Sequence, residues 1–231
     1  MRSRLATQFR KIGPVAAAAL VLYVLAATAA AQVVDKIVAT VSDGSRIELI
    51  TFSDLKWQLA LQPNASVENP TSEELNRALQ LLINQRLFAL EAERLPRPAP
   101  TEKEIADKIS EIISFFPSPA EFERRLRSVG FSSVRDDNFE RIIRQRVAIE
   151  KYLDFRFRSF IVITREDEER YYREVFVPDF RRRYPGLLMP TLDAKRAEIN
   201  RTLVEERVSA QIEAFLDEAK RRAQVVTLSP V

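Results

Sequence analysis

The chain contains no cysteine and no histidine. Without cysteine it has no disulfides, so even in an oxidising compartment its stability must come from its core. Zinc sites built on thiolate or imidazole, Cys or Ser–His nucleophiles and imidazole acid–base chemistry are excluded or strongly disfavoured. Carboxylate chemistry alone stays open to an enzyme. Glycine is also scarce, with only 4 among 231 residues, and there is no internal repeat or low-complexity segment. With 46% hydrophobic and 30% charged residues, the composition is that of an ordered, helix-rich chain rather than a disordered one.

The formal charge of +3 is concentrated at the start of the chain. Arg2, Arg4, Arg10 and Lys11 precede an apolar run, Ile12–Ala27, and Ala29-Ala30-Ala31 places small residues before Gln32. Residues 1–31 therefore read as a secretory signal peptide cleaved after Ala31, with an uncleaved membrane anchor as the alternative. Setting them aside removes four of the 36 basic residues and none of the 33 acidic ones, which leaves one net negative charge. A nucleic-acid partner loses its main support. No metal or cofactor is expected.

From Gln32 onward the pattern is a hairpin, then helices, then a strand. Val33–Val41 and Arg46–Ile50 read as β-strands around the turn Ser42-Asp43-Gly44-Ser45. Thr51 with Asp54 opens a short helix, with Leu55, Leu59 and Trp57 facing inward. Thr71–Leu95 is the central beam. It opens on a Thr71/Glu74 capping box and lines up Leu75, Leu79, Leu82, Ile83, Leu87 and Leu90 on one face. A second stripe of Leu81, Phe88 and Leu95 predicts protein on two sides, while Arg86 and Glu93 interrupt the main face and suggest that it is not sealed at every level. Capping boxes at Thr101/Glu104 and Thr164/Asp167, and Ser118-Pro119 ahead of Glu121, mark further helix starts. A long helix is expected from Ser132 or Ser133 toward Phe160, another over Asp193–Arg222, and a final strand over Gln224–Leu228. The arginine run Arg181-Arg182-Arg183 reads as a solvated face, or else as a contact with an anionic membrane surface. Strands at both ends predict that the last one pairs with the opening hairpin.

The order of these segments resembles the SurA-like periplasmic chaperones, relatives of the PpiD and PrsA foldases. VVDKIVATVSDGSRIELITFSDL resembles the family's opening strand, turn and helix; ALQLLINQRLFALEAERL its leucine-rich helix; and TEKEIADKISEII the helix after it. FERRLRSVGFSSVRDDNFERIIRQRVAIEKYL, ITREDEERYY and the last helix with QVVTL continue the likeness over nearly all of Gln32–Leu228. The resemblance implies a mainly α fold: a SurA-type chaperone core of about six helices with a small β element from the N-terminal hairpin and the C-terminal strand. It divides residues 32–231 into an N-terminal part, 32–163, and a linker with the C-terminal helix and strand, 164–231. Thr164 and Asp193 are too close for the parvulin prolyl-isomerase domain that such proteins carry there, and the histidines usual in parvulin sites are missing.

An isomerase is therefore not expected, nor any other catalytic residue. The resemblance implies a periplasmic, ATP-independent holdase for unfolded outer-membrane proteins or other exported polypeptides, with membrane contact only through the export signal. The alternative is an exported adaptor or assembly protein that uses the same fold to bind one dedicated partner. Phe115, Phe116, Phe155, Phe157, Phe176 and Phe180 are the candidate peptide-binding residues. The aromatic stretch YLDFRFRSF is open to a second explanation, core packing with arginine stems laid over the rings.

Overall fold

A computed structural model describes residues 35–94 and 98–231; the expected signal peptide (1–31) and Leu95 of the second stripe lie outside the described residues. Strands β1 (Ile37–Ser42) and β2 (Ile47–Thr51) form the expected antiparallel hairpin. Its turn is held by Asp43, whose Oδ1 accepts from the backbone N–H groups of Ser45 and Arg46, both at 2.9 Å. Strand β3 (Gln224–Thr227) pairs antiparallel with the other edge of β1, giving the order β2-β1-β3. A bulge between Ile37 and Ala39 turns both Val38 and Ala39 inward, which accounts for the loose alternation of this strand in the sequence.

Helices α1 (Phe52–Ala60), α2 (Ser72–Ala92), α3 (Glu102–Ser114), α4 (Pro119–Ser128) and α5 (Asp137–Arg156) follow. Then come α6 (Arg165–Tyr171), α7 (Val177–Arg183) and the 31-residue α8 (Leu192–Arg222). The protein is mainly α with a small three-stranded antiparallel sheet, and Lys36–Val231 forms one compact unit. Thr51, Thr71, Thr101 and Thr164 all close reciprocal capping boxes. The start of α5 differs from expectation. Asp136, not Ser132 or Ser133, caps it, and Ser132 instead donates its N–H and hydroxyl to the Asp136 carboxylate at 3.0 and 2.9 Å. A charged acceptor is the stronger cap at the positive end of a helix.

Three apolar clusters hold these elements. In the first, Val38, Val41 and Ile50 of the sheet pack on Leu55 and Leu59 of α1 and on the main face of α2. In the second, Phe122, Phe131 and Phe139 join α3, α4 and α5, with Trp57 packed against them. In the third, Phe88, Tyr152, Phe157 and Phe215 bring α2, α5 and α8 together. All six residues of the α2 main face are buried, and Phe88 of the second stripe is covered by α8, while Leu81 stays 43% exposed. Arg86 does not open the beam. Its guanidinium donates to Gln145 at 3.0 Å and lies 3.6 Å from Asp54 and 3.8 Å from Glu48, so it is a polar strut joining α2 to α1, β2 and α5. Glu93 is engaged at the edge by Arg46.

The C-terminal end of α1 has no basic residue in its own last turn. Arg125 of α4 serves it instead, donating to the carbonyl oxygens of Leu59, Ala60, Gln62 and Ala65 at 3.1, 3.3, 2.8 and 2.8 Å. One planar fork thus adds charged donors to carbonyls at and just beyond the helix end, two of which, Leu59 and Gln62, also accept backbone N–H groups of the following turn. Arg125→Ala should lower stability by about 3 kcal/mol, read as a fall in the urea midpoint at unchanged slope, with Arg125→Lys recovering less than half. A loss below about 1 kcal/mol would mean that water serves these carbonyls equally well.

Candidate functional site

The six expected aromatic residues fall into three places. Phe115, 63% exposed, ends α3 beside Phe116, which is not a surface residue but packs on Phe122 with ring centroids 4.8 Å apart. Phe155 and Phe157 lie at the end of α5, and Phe176 and Phe180 lie together farther along the chain. No single surface gathers all six.

The end of α5 builds the most developed of these places. Positions 155 and 157 are about 200° apart around a helix, so they cannot share a face. Phe157 turns inward and meets Phe215 at 5.5 Å in an edge arrangement, while Phe155 stays 51% exposed. The chain then tightens into a 3₁₀ turn, Arg158–Phe160, pinned to α8 by a two-pronged ion pair from Arg158 to Glu205 at 2.6 and 2.9 Å. Glu205 and then Asp154 hold this guanidinium more firmly charged than usual, and the Glu205 carboxyl is pushed down in return. The pinned turn carries Phe160, 71% exposed, to within 6.0 Å of Phe155, ring edge to ring face.

Between this pair and α8 lies a groove of about 490 Å³, with Phe157 and Phe215 as its floor and Gln211, Ala214 and Glu218 along the α8 side. The Arg156 guanidinium stands over the Phe215 and Phe157 rings, 5.0 and 5.7 Å from their centroids. Among the described residues it pairs with no carboxylate, in contrast to its neighbour Arg158. The aromatic stretch divides between core and surface. Phe157 is core under the Arg156 guanidinium and Tyr152 is buried as well, whereas Phe155 and Phe160 are surface. Phe160 and Phe215 are groove residues that the candidate set lacked. The helical angle between 155 and 157 was the available signal that one of the two must point inward.

The second aromatic surface is an arm. α6, a π-helical turn (Tyr172–Phe176) and α7 run on with helical backbone angles through both junctions. Pro178 explains the π turn: it has no N–H to donate, and widening the preceding turn relieves the clash of its ring. Val177 N–H accordingly donates five residues back to the Tyr172 carbonyl. Tyr172, Phe176, Phe180 and Tyr184 stack along the rod at 5.5, 5.8 and 5.1 Å between successive rings, each half-buried except the exposed Tyr184.

The arm docks on α8 through polar contacts. Arg207 donates to Asp167 and to the Val162 carbonyl, both at 2.6 Å, and Asn200 donates to Glu168 at 2.8 Å. The Thr164 backbone N–H and the Arg207 guanidinium hold the Asp167 carboxyl down at about 2.

Among the described residues no cluster of three or more acidic or metal-ligating side chains is disposed to hold a metal ion, and no helix is long and apolar enough to cross a membrane. Compared with known proteins, the chain matches no family model and no curated protein sequence.

The groove separates floor from walls energetically. Phe215→Ala should cost about 3–5 kcal/mol, because three rings lose their common partner. Phe155→Ala and Phe160→Ala should each stay within about 0.5 kcal/mol of the parent in a urea titration. A large loss on truncating either wall residue would show that the pair is part of the core.

Proposed function

We propose that this protein is an exported, ATP-independent chaperone of the SurA type without isomerase domains, holding unfolded, aromatic-rich segments of outer-membrane proteins in the periplasm. The observation that carries the proposal is the exposed Phe155/Phe160 pair set over an aromatic floor on a pinned, preformed turn. Two large rings held side by side in water add little to folding stability, which supports reading them as a binding surface. The segment between Thr164 and Thr191, where the family resemblance would put a parvulin insert, is filled by the arm. This supports a chaperone core without isomerase chemistry.

The mechanism follows from the geometry of client and groove. An unfolded barrel strand alternates apolar and polar residues, with aromatic girdles near its ends. In extended form it presents every second side chain to one surface. One aromatic side chain entering the groove meets the rings of Phe155 and Phe160, each ring contact worth about 0.5–1.5 kcal/mol beyond the area buried. Arg156 adds a cation that favours segments with a nearby acidic group. A few such contacts hold a segment yet release it without an energy source.

Purified protein at modest molar excess should suppress light scattering by a diluted, urea-unfolded outer-membrane protein. Phe155→Ala/Phe160→Ala should lose most of that suppression while remaining folded. No suppression by the parent at any ratio would sink the proposal.

The second reading, an adaptor for one dedicated partner, is favoured by the arm, whose stacked rings form a rigid surface rather than an adaptable one. Crosslinking in the periplasm separates the two: many unfolded clients support the chaperone, and a single stoichiometric protein supports the adaptor.

A further inference from the structure

The tip of the arm has a composition that neither the groove nor the helical core uses. After α7 the chain reads Tyr184-Pro185-Gly186-Leu187-Leu188 and then returns to α8. Leu188 is 93% exposed, Leu187 64% and Tyr184 50%. These side chains project from a formed turn rather than a loose loop. Tyr184 N–H donates to the Phe180 carbonyl at 2.8 Å, Leu187 N–H donates to the Tyr184 carbonyl at 3.2 Å, and Gly186 takes a φ of +90°. The returning segment is fastened by Tyr172, whose hydroxyl donates to the Pro190 carbonyl at 2.6 Å.

Behind the leucines stand Arg181, Arg182 and Arg183. Asp179 pairs with Arg182 at 2.5 Å and Arg183 at 2.9 Å, and Arg181 pairs with no carboxylate among the described residues. Three arginines against one aspartate leave two net positive charges between positions 179 and 190.

We propose that this tip docks on the surface of an anionic lipid bilayer, with Leu187 and Leu188 entering the acyl boundary and the arginines meeting lipid phosphates. The chemistry of the tip favours a bilayer over a protein. A stable protein interface uses roughly 20–30 residues a side, and the tip offers one eight-residue turn. A bilayer asks for less: two aliphatic side chains to partition, an amphipathic ring at headgroup level, and guanidinium groups that reach phosphate along their own stems. Two leucines alone partition weakly, so the charge is the necessary second signal. The proposal is independent of the groove and stands or falls without it.

The test places a reporter on the tip of the full chain, Leu188→Trp. Trp57, the sole native tryptophan, is half-buried and bonded to the Val129 carbonyl, so it supplies a constant background. With vesicles of mixed phosphatidylcholine and phosphatidylglycerol, emission from the new indole should shift to the blue and be quenched by bromine-labelled acyl chains. Vesicles of phosphatidylcholine alone should leave it unchanged. Each arginine replaced in Arg181→Gln, Arg182→Gln or Arg183→Gln should weaken the partitioning about fivefold, and high salt should do the same.

Attachment through the apolar run near the N-terminus would hold the protein on vesicles without moving this emission, so the readout belongs to the tip. No shift with either vesicle overturns the proposal, and an equal shift with both overturns its anionic requirement. A concentration-dependent shift in the absence of lipid overturns it in favour of a second copy of the chain.

Discussion

Phe215 is the side chain on which the rest of the architecture depends. It faces Phe88 at 6.1 Å, Tyr152 at 6.4 Å and Phe157 at 5.5 Å, so one ring of α8 fixes the positions of α2 and α5 at once. The pairing of β3 with β1 makes this possible. By returning the end of the chain to the opening hairpin, it lays the last turns of α8 across the upper end of the beam. With no disulfide to substitute for it, this convergence of sheet register and aromatic packing is what ties the C-terminal segment to the N-terminal one.

The same ring, though buried, underlies the groove together with Phe157, so the proposed binding surface rests directly on the core. α8, about 46 Å long at 1.5 Å per residue, carries two aromatic surfaces: the groove near Phe215 and the arm, whose Phe176 receives Lys195 at 6.0 Å. These lie about 30 Å apart along the helix axis, roughly nine residues of extended chain. The two surfaces are supported differently. The groove is backed by apolar packing, whereas the arm is held by the Asp167–Arg207 and Glu168–Asn200 contacts with few buried apolar side chains. Regions supported in that way open at lower free energy than a packed core.

Much of this was legible in the amino-acid sequence, and the parts that were not share a physical reason. Helix starts could be read because a threonine followed three residues later by a carboxylate is a local device, complete within one turn. The six-residue face of α2 and the return of the last strand could be read because periodicity and chain ends carry them. What local pattern cannot show is where a long side chain finds its partner. Arg86 looked like a break in an apolar face and is a strut, since its partners Glu48, Asp54 and Gln145 come from three other elements. Arg125 carries no local signal of its role, yet it serves the end of a helix far away in sequence. Of the candidate aromatics, Phe116 and Phe157 are interior and Phe115 stands apart, because exposure depends on which neighbour covers a ring. Phe160, left out of that set, is among the most exposed large apolar side chains among the described residues.

The central claim is that extended, aromatic-bearing chain segments bind across Phe155 and Phe160, in the groove floored by Phe157 and Phe215. Site-specific photocrosslinking tests it most directly, with a photoreactive side chain placed in turn at positions 160, 211 and 81 and an unfolded outer-membrane protein as client. The account predicts crosslinks from positions 160 and 211, mapping to aromatic-containing segments of the client, and none from position 81 on the far stripe of the beam. Crosslinks from position 81 alone, or equal yields at all three positions, would contradict it.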